Sequence, residues 1–467
     1  MMIEYKGVKK KHKSLAVQPA KAKERVRQSV NLLFDRISVK LAILTRRDIL
    51  FWCVWLLSTL VFFYLTFGNI RRITVVLGFI VLDLTILSYV IAYLGLYISL
   101  GWIFYIVAGF IFSFKKPEQH KPFNPHGPMV SVLIAARNEE KVIKNLLEDL
   151  RRQTYKNWEA IVVAHNCTDK TYEVASSIKD DRIKVIKYDG PYGKPVALNY
   201  GVKYVRGDIV VVFDADARIE SDFLEKLVPY FQKYDAVQVR IESSNSKVNI
   251  LTALTDLEWV VFTDSVERSG SGFHLFALLG GTGQAIKYSA LKDVGFWDEK
   301  ILVEDYDLSL RLLEKKYKIG YAHDVAVYDE KPCKWSSFFK QRARWMRGNF
   351  QILRKYVPRL HKIPQMWHIL LSHLSVALNY YGYGLAVLYM LGATYQSFYF
   401  PFWIWLWLFN VFMIGLRSLK ERGLRGLFFL PLLILFSYHW LVVCWYVPKI
   451  KSWRESKTEH FGQFCPI

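Results

Sequence analysis

Asp214-Ala215-Asp216 follows the apolar run 209–213, so two carboxylates stand two residues apart at the end of a buried strand. Buried acid groups are costly unless something positive meets them. A divalent cation bridging a diphosphate suits the place, because hard oxygen ligands favour Mg²⁺ or Mn²⁺ that keep water and phosphate in their shell. A helix N-cap with a first-turn charge is the plainer use of the same residues. Further on, Glu304-Asp305 opens a helical pattern. A carboxylate at a crevice-facing helix start can take a proton from an attacking hydroxyl, although one of the pair could serve only as a cap. Thirty-six residues beyond Asp305 comes Gln341-Arg342-Ala343-Arg344-Trp345. There Arg344 can offset charge on a departing diphosphate, and Trp345 offers a face on which a sugar ring stacks. An interfacial helix anchoring Arg and Trp in headgroups is the alternative.

Other polar residues fall at the same edge. The stretch VSVLIAARNEE, 130–140, runs from a buried strand into an acidic turn that carries Arg137, Asn138 and Glu139. Asp169, in HNCTDKT, stands at the next strand end, where it could hold a base or ribose or cap the following helix. Gly193-Lys194, with Ala197-Leu198-Asn199, opens a helix, and a Gly-freed backbone with a Lys suits an anionic phosphate. Gly280-Gly281-Thr282-Gly283-Gln284 lacks a dinucleotide spacing and reads as a close backbone approach to a bulky substrate, or as a bulge.

The elements that must position these residues alternate. Strand patterns cover Val130–Ala136, 158–164, Ile183–Tyr188, 208–213 and 236–241; helical ones cover 141–153, 170–179, 195–205, 221–234 and about 248–269. That alternation predicts an α/β domain with a mostly parallel sheet, helices on both faces and ligands at the carboxyl ends of the strands.

The flanks read differently. The net charge is +22, and residues 1–48 hold 13 Lys/Arg against 4 Asp/Glu next to a charge-free run at 49–67. Attraction to anionic lipid and cytoplasmic retention explain such an arm without nucleic acid, for which there is no aromatic interleaving. Residues 73–114 carry only Asp83, and 366–391, 398–416 and 427–447 are apolar too. Runs of this length predict membrane-spanning helices. The basic segments 417–425 and 449–457 both ask to be inside, so the span count stays open. The five cysteines form no CxxC pair and no zinc spacing, and no Ser or Cys stands in a nucleophile–base motif. The boundaries that follow are a basic arm 1–48, a transmembrane region 49–114, a transferase domain 115–348, an interfacial segment 349–365, a second transmembrane region 366–448 and a polar tail 449–467.

The ordered set VSVLIAARNEE, NCTD, GK…ALN, DADA, GTGQ, VED and QRARW resembles integral-membrane family 2 glycosyltransferases, near the hyaluronan, chitin, cellulose and poly-N-acetylglucosamine synthases. It covers about 128–354, and only the whole ordered set is specific. The resemblance implies a membrane-embedded inverting β-glycosyltransferase that polymerises sugar from a UDP-sugar and passes the product across the cell membrane, with the catalytic domain cytoplasmic. Its nearest alternative adds a single sugar to a membrane lipid, as the ceramide glucosyltransferases resemble in a similar Gln-x-x-Arg-Trp motif; a non-catalytic nucleotide-sugar-binding subunit is the third. By the same resemblance Asp214 and Asp216 hold Mg²⁺ or Mn²⁺ and the diphosphate, while Ala135, Asn138, Glu139 and Asp169 line the nucleotide and Lys194 touches the donor. Gly281, Thr282, Gly283 and Gln284 border the acceptor, which is a glycan or a lipid. Asp305, with Glu304, is the base, and Gln341, Arg344 and Trp345 close the site. Where many members have an Asp pair before the NCTD-like segment, this chain has Ala164-His165.

Overall fold

The computed structural model describes residue 60 and residues 74–77, 80–83, 85–115, 127–274, 276–363 and 399–453. Its centre is an eight-stranded sheet. Strands β3 (Val130–Ala136), β4 (Trp158–His165), β5 (Ile183–Tyr188) and β6 (Ile209–Asp214) make one parallel half in the order β5-β4-β3-β6. Beyond β6 come β9 (Gln284–Lys287), β8 (Ala236–Ser243), β10 (Ile319–Asp329) and β7 (Arg218–Ile219).

The two inner strands β3 and β4 are apolar along nearly their whole length because both faces are covered. Alternation then sorts the side chains: Val132, Ile134, Val211 and Phe213 enter one core, while Leu133, Val163, Val210 and Val212 enter the core on the other face. The first core is closed by α2 (Ile143–Arg151), α3 (Thr171–Ser176) and α5 (Phe223–Leu227); the second by α4 (Lys194–Gly201), α8 (Tyr288–Asp293) and α9 (Glu304–Glu314).

The expected mostly parallel sheet is in fact mixed. β9 lies antiparallel between β6 and β8, and β7 pairs antiparallel with the end of β10. β9 carries no strand signal in the sequence because it has only four residues after the glycines, too short for a period-two pattern to stand out. The long helix expected at about 248–269 forms as α6 (Ile250–Glu258), a π turn at Trp259–Thr263 and α7 (Asp264–Gly272). Asn249 caps it: its Oδ1 accepts from Thr252 N–H at 2.9 Å, and Thr252 Oγ1 accepts from Asn249 N–H at 3.1 Å.

The flanks correct parts of the span reading. The expected spans at 366–391 and, apart from Leu60, 49–67 lie outside the described residues. Residues 73–114 divide into a hairpin of β1 (Thr74–Leu77) and β2 (Ile80–Asp83), followed by α1 (Thr85–Phe112). α1 lies close along α7, where a Cβ on Gly109 would come within 2.6 Å of Ser265 Cα. The expected spans at 398–416 and 427–447 correspond to α11 (Tyr399–Phe428) and to two short helices, α12 (Leu430–Phe436) and α13 (His439–Tyr446). Among the described residues no helix is long and apolar enough to cross a membrane. The basic segment 417–425, expected on the inside, belongs to α11, which kinks at Gly423, and is docked on the domain through ion pairs of Arg422 with Asp256 and Glu242, of Arg417 with Asp264 and of Arg240 with Glu421. The helix carrying QRARW, α10 (Trp335–Tyr356), runs into the first half of the expected interfacial segment and packs on α13.

Candidate active site

Gly281 marks where the charged residues meet. A Cβ built on it would lie 3.3 Å from Lys194 Nζ, 3.5 Å from Asp305 Oδ2 and 3.7 Å from Asp214 Oδ2. Each arrives from a different element: Asp214 from the carboxyl end of β6, Lys194 from the first residue of α4, Asp305 from the first turn of α9. Lys194 Nζ donates to Asp214 Oδ1 and to the Gly281 carbonyl, both at 2.5 Å, and stands 4.0 Å from Glu304 Oε1. The loop itself is held from outside the motif. Gln238, buried on β8, accepts from Gly280 N–H at 2.7 Å and donates to the Thr282 carbonyl at 3.0 Å, while Asp214 N–H donates to Thr282 Oγ1 at 3.2 Å. Gly283 has φ +70°, and a Cβ there would strike Val239 at 2.4 Å, so this position requires glycine.

Burial dominates the electrostatics. It pushes the Glu304 and Asp305 carboxyls up, with Lys194 and Arg344 pulling the other way. Burial also opposes the Lys194 ammonium, but Asp214, Glu304 and Asp305 outweigh it and hold that pKa above its usual value. Asp305 Oδ1 accepts from the Tyr306 N–H at 2.7 Å, which leaves Oδ2 on the Gly281 side. A carboxylate whose proton affinity is raised, aimed at an open point beside a lysine, is equipped to take a proton from a hydroxyl.

Arg344 donates to the Leu302 carbonyl at 3.1 Å and feels Glu304, Asp305 and Asp214. Trp345 tilts against Trp259 of the π turn, with Arg342 over its face at 4.2 Å from the ring centre. These groups open on a cavity of about 910 Å³. Ala135, Glu139, Lys194, Asp214, Asp216, Gly281, Thr282, Glu304, Asp305, Gln341, Arg344 and Trp345 all line it.

Four expected site residues do not line this cavity: Asn138, Asp169, Gly283 and Gln284. Asn138, at φ +53°, donates to Thr168 Oγ1 at 3.0 Å and accepts from Thr168 N–H at 2.8 Å, tying two strand-end loops together. Asp169 accepts from Thr171 N–H at 3.0 Å and Thr171 Oγ1 at 2.5 Å, and from Glu140 N–H at 3.2 Å, which is the capping alternative. Gln284 is fully buried in β9, its side chain turned into the sheet by register with Val212 and Gln238.

A metal fits the residues present. No group of three His, Cys, Asp or Glu among the described residues could hold one alone. Asp214 and Asp216 supply two carboxylates at the cavity wall, and Asp214 already carries a cation in the form of the Lys194 ammonium. Two carboxylates plus diphosphate oxygens and water complete the shell that Mg²⁺ takes in phosphate sites.

Sequence reading missed several groups in the wall. Gln238, the one amide in the run AVQVRI, is a legible exception on an apolar strand. His165 lines the cavity at the end of β4, stacked on Tyr188, with burial pulling its pKa down. Trp453 covers Arg344 at 4.1 Å and approaches Gly193; nothing local in the tail foretells that contact. The lining also includes Phe262 and Val266, Trp102 and Ile106 of α1 and Ile414 of α11.

Residues 126–348 match the family model described as "Glycosyltransferase like family 2", so this segment is a family 2 glycosyltransferase domain. The β-monoglucosyldiacylglycerol synthase of Nostoc sp. is 33% identical over 249 residues, 51% of this chain and 53% of that protein. The poly-β-1,6-N-acetyl-D-glucosamine synthase of Staphylococcus epidermidis is 27% identical over 263 residues, 54% of this chain and 63% of that one. The chain thus spans little more than half the length of the curated relatives it matches. A mannosyltransferase from Pyrobaculum calidifontis, solved with GDP-Man and Mn²⁺, superposes with a TM-score of 0.48 at 19% identity, covering 72% of this chain and 98% of that one.

Proposed function

We propose that this family 2 glycosyltransferase domain works at a membrane, moving one sugar from a UDP-sugar to a lipid acceptor with inversion at the anomeric carbon. The observation that carries the reading is the convergence of Lys194, Asp214 and Asp305 on Gly281, in a cavity that is also lined by one apolar cluster. An acceptor hydroxyl placed at that point loses its proton to Asp305 Oδ2 as its oxygen bonds to the anomeric carbon. The bond from that carbon to the diphosphate breaks in the same displacement, so no enzyme nucleophile takes part. Lys194 and Arg344 offset the charge growing on the departing diphosphate. When bound at Asp214 and Asp216, Mg²⁺ or Mn²⁺ adds further positive charge there.

The lipid is favoured by the apolar part of the wall, where Ile106, Val411, Ile414 and Leu433 give an acyl chain what it seeks and a glycan little. The similarity to the Nostoc lipid synthase points the same way. A membrane setting is supported by large apolar side chains left in the open on α11–α13: Trp405, Phe412, Leu424, Phe428, Leu435 and Trp445. With the basic arm, they agree with a multi-pass protein of the cell membrane whose catalytic domain is cytoplasmic.

Polymerisation is the second reading, favoured by a different observation. Trp102, Trp259, Trp345, Trp407, Trp440 and Trp453 all face the cavity, as the walls of a glycan path do. Purified protein given Mn²⁺ and UDP-glucose, UDP-N-acetylglucosamine or UDP-glucuronate, with dioctanoylglycerol or a chito-oligosaccharide as acceptor, tests both. Nucleotide release with a chloroform-soluble product supports the lipid; a lengthening oligosaccharide supports the polymer. Silence with every donor and both acceptors refutes the proposal.

A further inference from the structure

Glu267 is a buried carboxyl that the reaction above does not use. It stands on α7, 7% exposed, in the wall of the same cavity. The helix could have placed an apolar residue there at no cost, and a buried acid without a partner is expensive. The acids and bases of its own helix do not neutralise it: Arg268 is turned to Asp264. Among the described residues its single hydrogen bond comes from Leu278 N–H, 2.9 Å from Oε2. Burial, with Asp264 nearby, pushes the carboxyl up to about 8, toward the neutral form that is both a donor and an acceptor.

Its position relative to the base is fixed by chain connectivity. Leu278 is three residues before Gly281, at most about 10 Å along an extended chain. On the other side Tyr306, directly after Asp305, is influenced by Glu267. Leu278, Tyr306 and Glu267 all line the cavity, as do Phe262 and Trp102, which meet edge to face.

We propose that Glu267 binds the acceptor, hydrogen-bonding a hydroxyl or ester oxygen of its polar headgroup other than the hydroxyl that reacts. This rests on the transferase reading and assigns the residue that selects an acceptor with a second polar group beyond its nucleophilic hydroxyl. Donor binding does not involve it.

The test uses the full-length protein in detergent with whichever of dioctanoylglycerol or the chito-oligosaccharide the wild type turns over. Glu267→Ala is expected to raise the acceptor KM about tenfold, the range of one lost hydrogen bond, with the donor KM within twofold of wild type. Glu267→Gln, which keeps a donor and an acceptor and can hold Leu278 N–H, is expected to restore the acceptor KM to within about threefold. Loss of donor and acceptor KM together, or an unchanged acceptor KM in Glu267→Ala, overturns the assignment. If Glu267→Ala does not fold, Glu267→Gln and Glu267→Met decide: equal acceptor KM values for the two overturn it, and a weaker Met variant upholds it. Absence of turnover by the wild type with either acceptor is a different failure, of the transferase reading itself, and removes this one with it.

Discussion

Gly281→Ala separates the chemistry of the site from the stability of the fold. The new methyl would sit 3.3 Å from Lys194 Nζ, 3.5 Å from Asp305 Oδ2 and 3.7 Å from Asp214 Oδ2. Only the first is tighter than ordinary contact, and it is the tip of a flexible side chain, so the fold should lose less than about 1 kcal/mol. Catalysis should lose far more, because the methyl fills the point where the reacting hydroxyl must stand. A displacement of about 1 Å costs on the order of a hundredfold, and nucleotide release should fall by at least that. Gly283→Ala is the matched control two residues away. Its Cβ would press within 2.4 Å of Val239 and 2.8 Å of Val327 at φ +70°, where both clash and left-handed backbone are paid by the fold. Roughly 2–4 kcal/mol should be lost there. Thermal unfolding followed by tryptophan fluorescence, beside nucleotide release, reads both. A Gly281→Ala protein with wild-type turnover would refute the placing of the reaction at this glycine. So would a protein whose melting temperature drops as far as that of Gly283→Ala.

Asp305→Asn should abolish transfer and keep donor binding by calorimetry; residual turnover above about 1% of wild type would remove Asp305 as the base. Since burial raises the Asp305 and Glu304 carboxyls, and a base works only when deprotonated, kcat/KM should fall on the acid side above the ordinary carboxylate range, and an activity flat down to pH 4 would contradict this. Chelation should stop turnover, and Asp216→Ala should raise the Mn²⁺ concentration needed for half-maximal rate by at least about tenfold. Glu267 titrates near 8 when folded against an ordinary 4.5, so the native state keeps one proton more than the unfolded chain between those values. The stability it contributes is complete below 4.5 and lost as pH climbs through 8; melting curves should show that slope, and Glu267→Gln should flatten it. Arg422→Met leaves Asp256 without its cation and Glu242 with Arg240 alone, so α11 should loosen on the domain at a cost of roughly 3–5 kcal/mol, seen as faster amide exchange in 417–425.

The parallel half of the sheet was legible because β3, β4 and β6 are nearly uninterrupted apolar runs ending in polar clusters, and burial on both faces leaves such runs little else to be. Asp214, Lys194 and Asp305 were legible as residue types at element ends, where a sheet of this class exposes ligands, and Arg344 as part of the QRARW cluster inside a helix. Asn138 and Asp169 were not separable from ligands by sequence, since a side chain that caps a loop and one that binds a ribose have the same chemistry.

What the sequence determined by itself is local: which runs are apolar, with what period, and which charges end them. Tertiary structure decided the rest. It inserted β9 antiparallel between β6 and β8, which buries Gln284 and leaves Gly281 at the meeting point of three elements. It laid Trp453 on Arg344 and drew Arg417 and Arg422 onto Asp264 and Asp256, contacts spanning 109 to 166 residues that no window of sequence contains. It also gave Glu267 its surroundings. A carboxyl's proton affinity depends on the dielectric and charges around it, and those are set by packing rather than by neighbours in the chain.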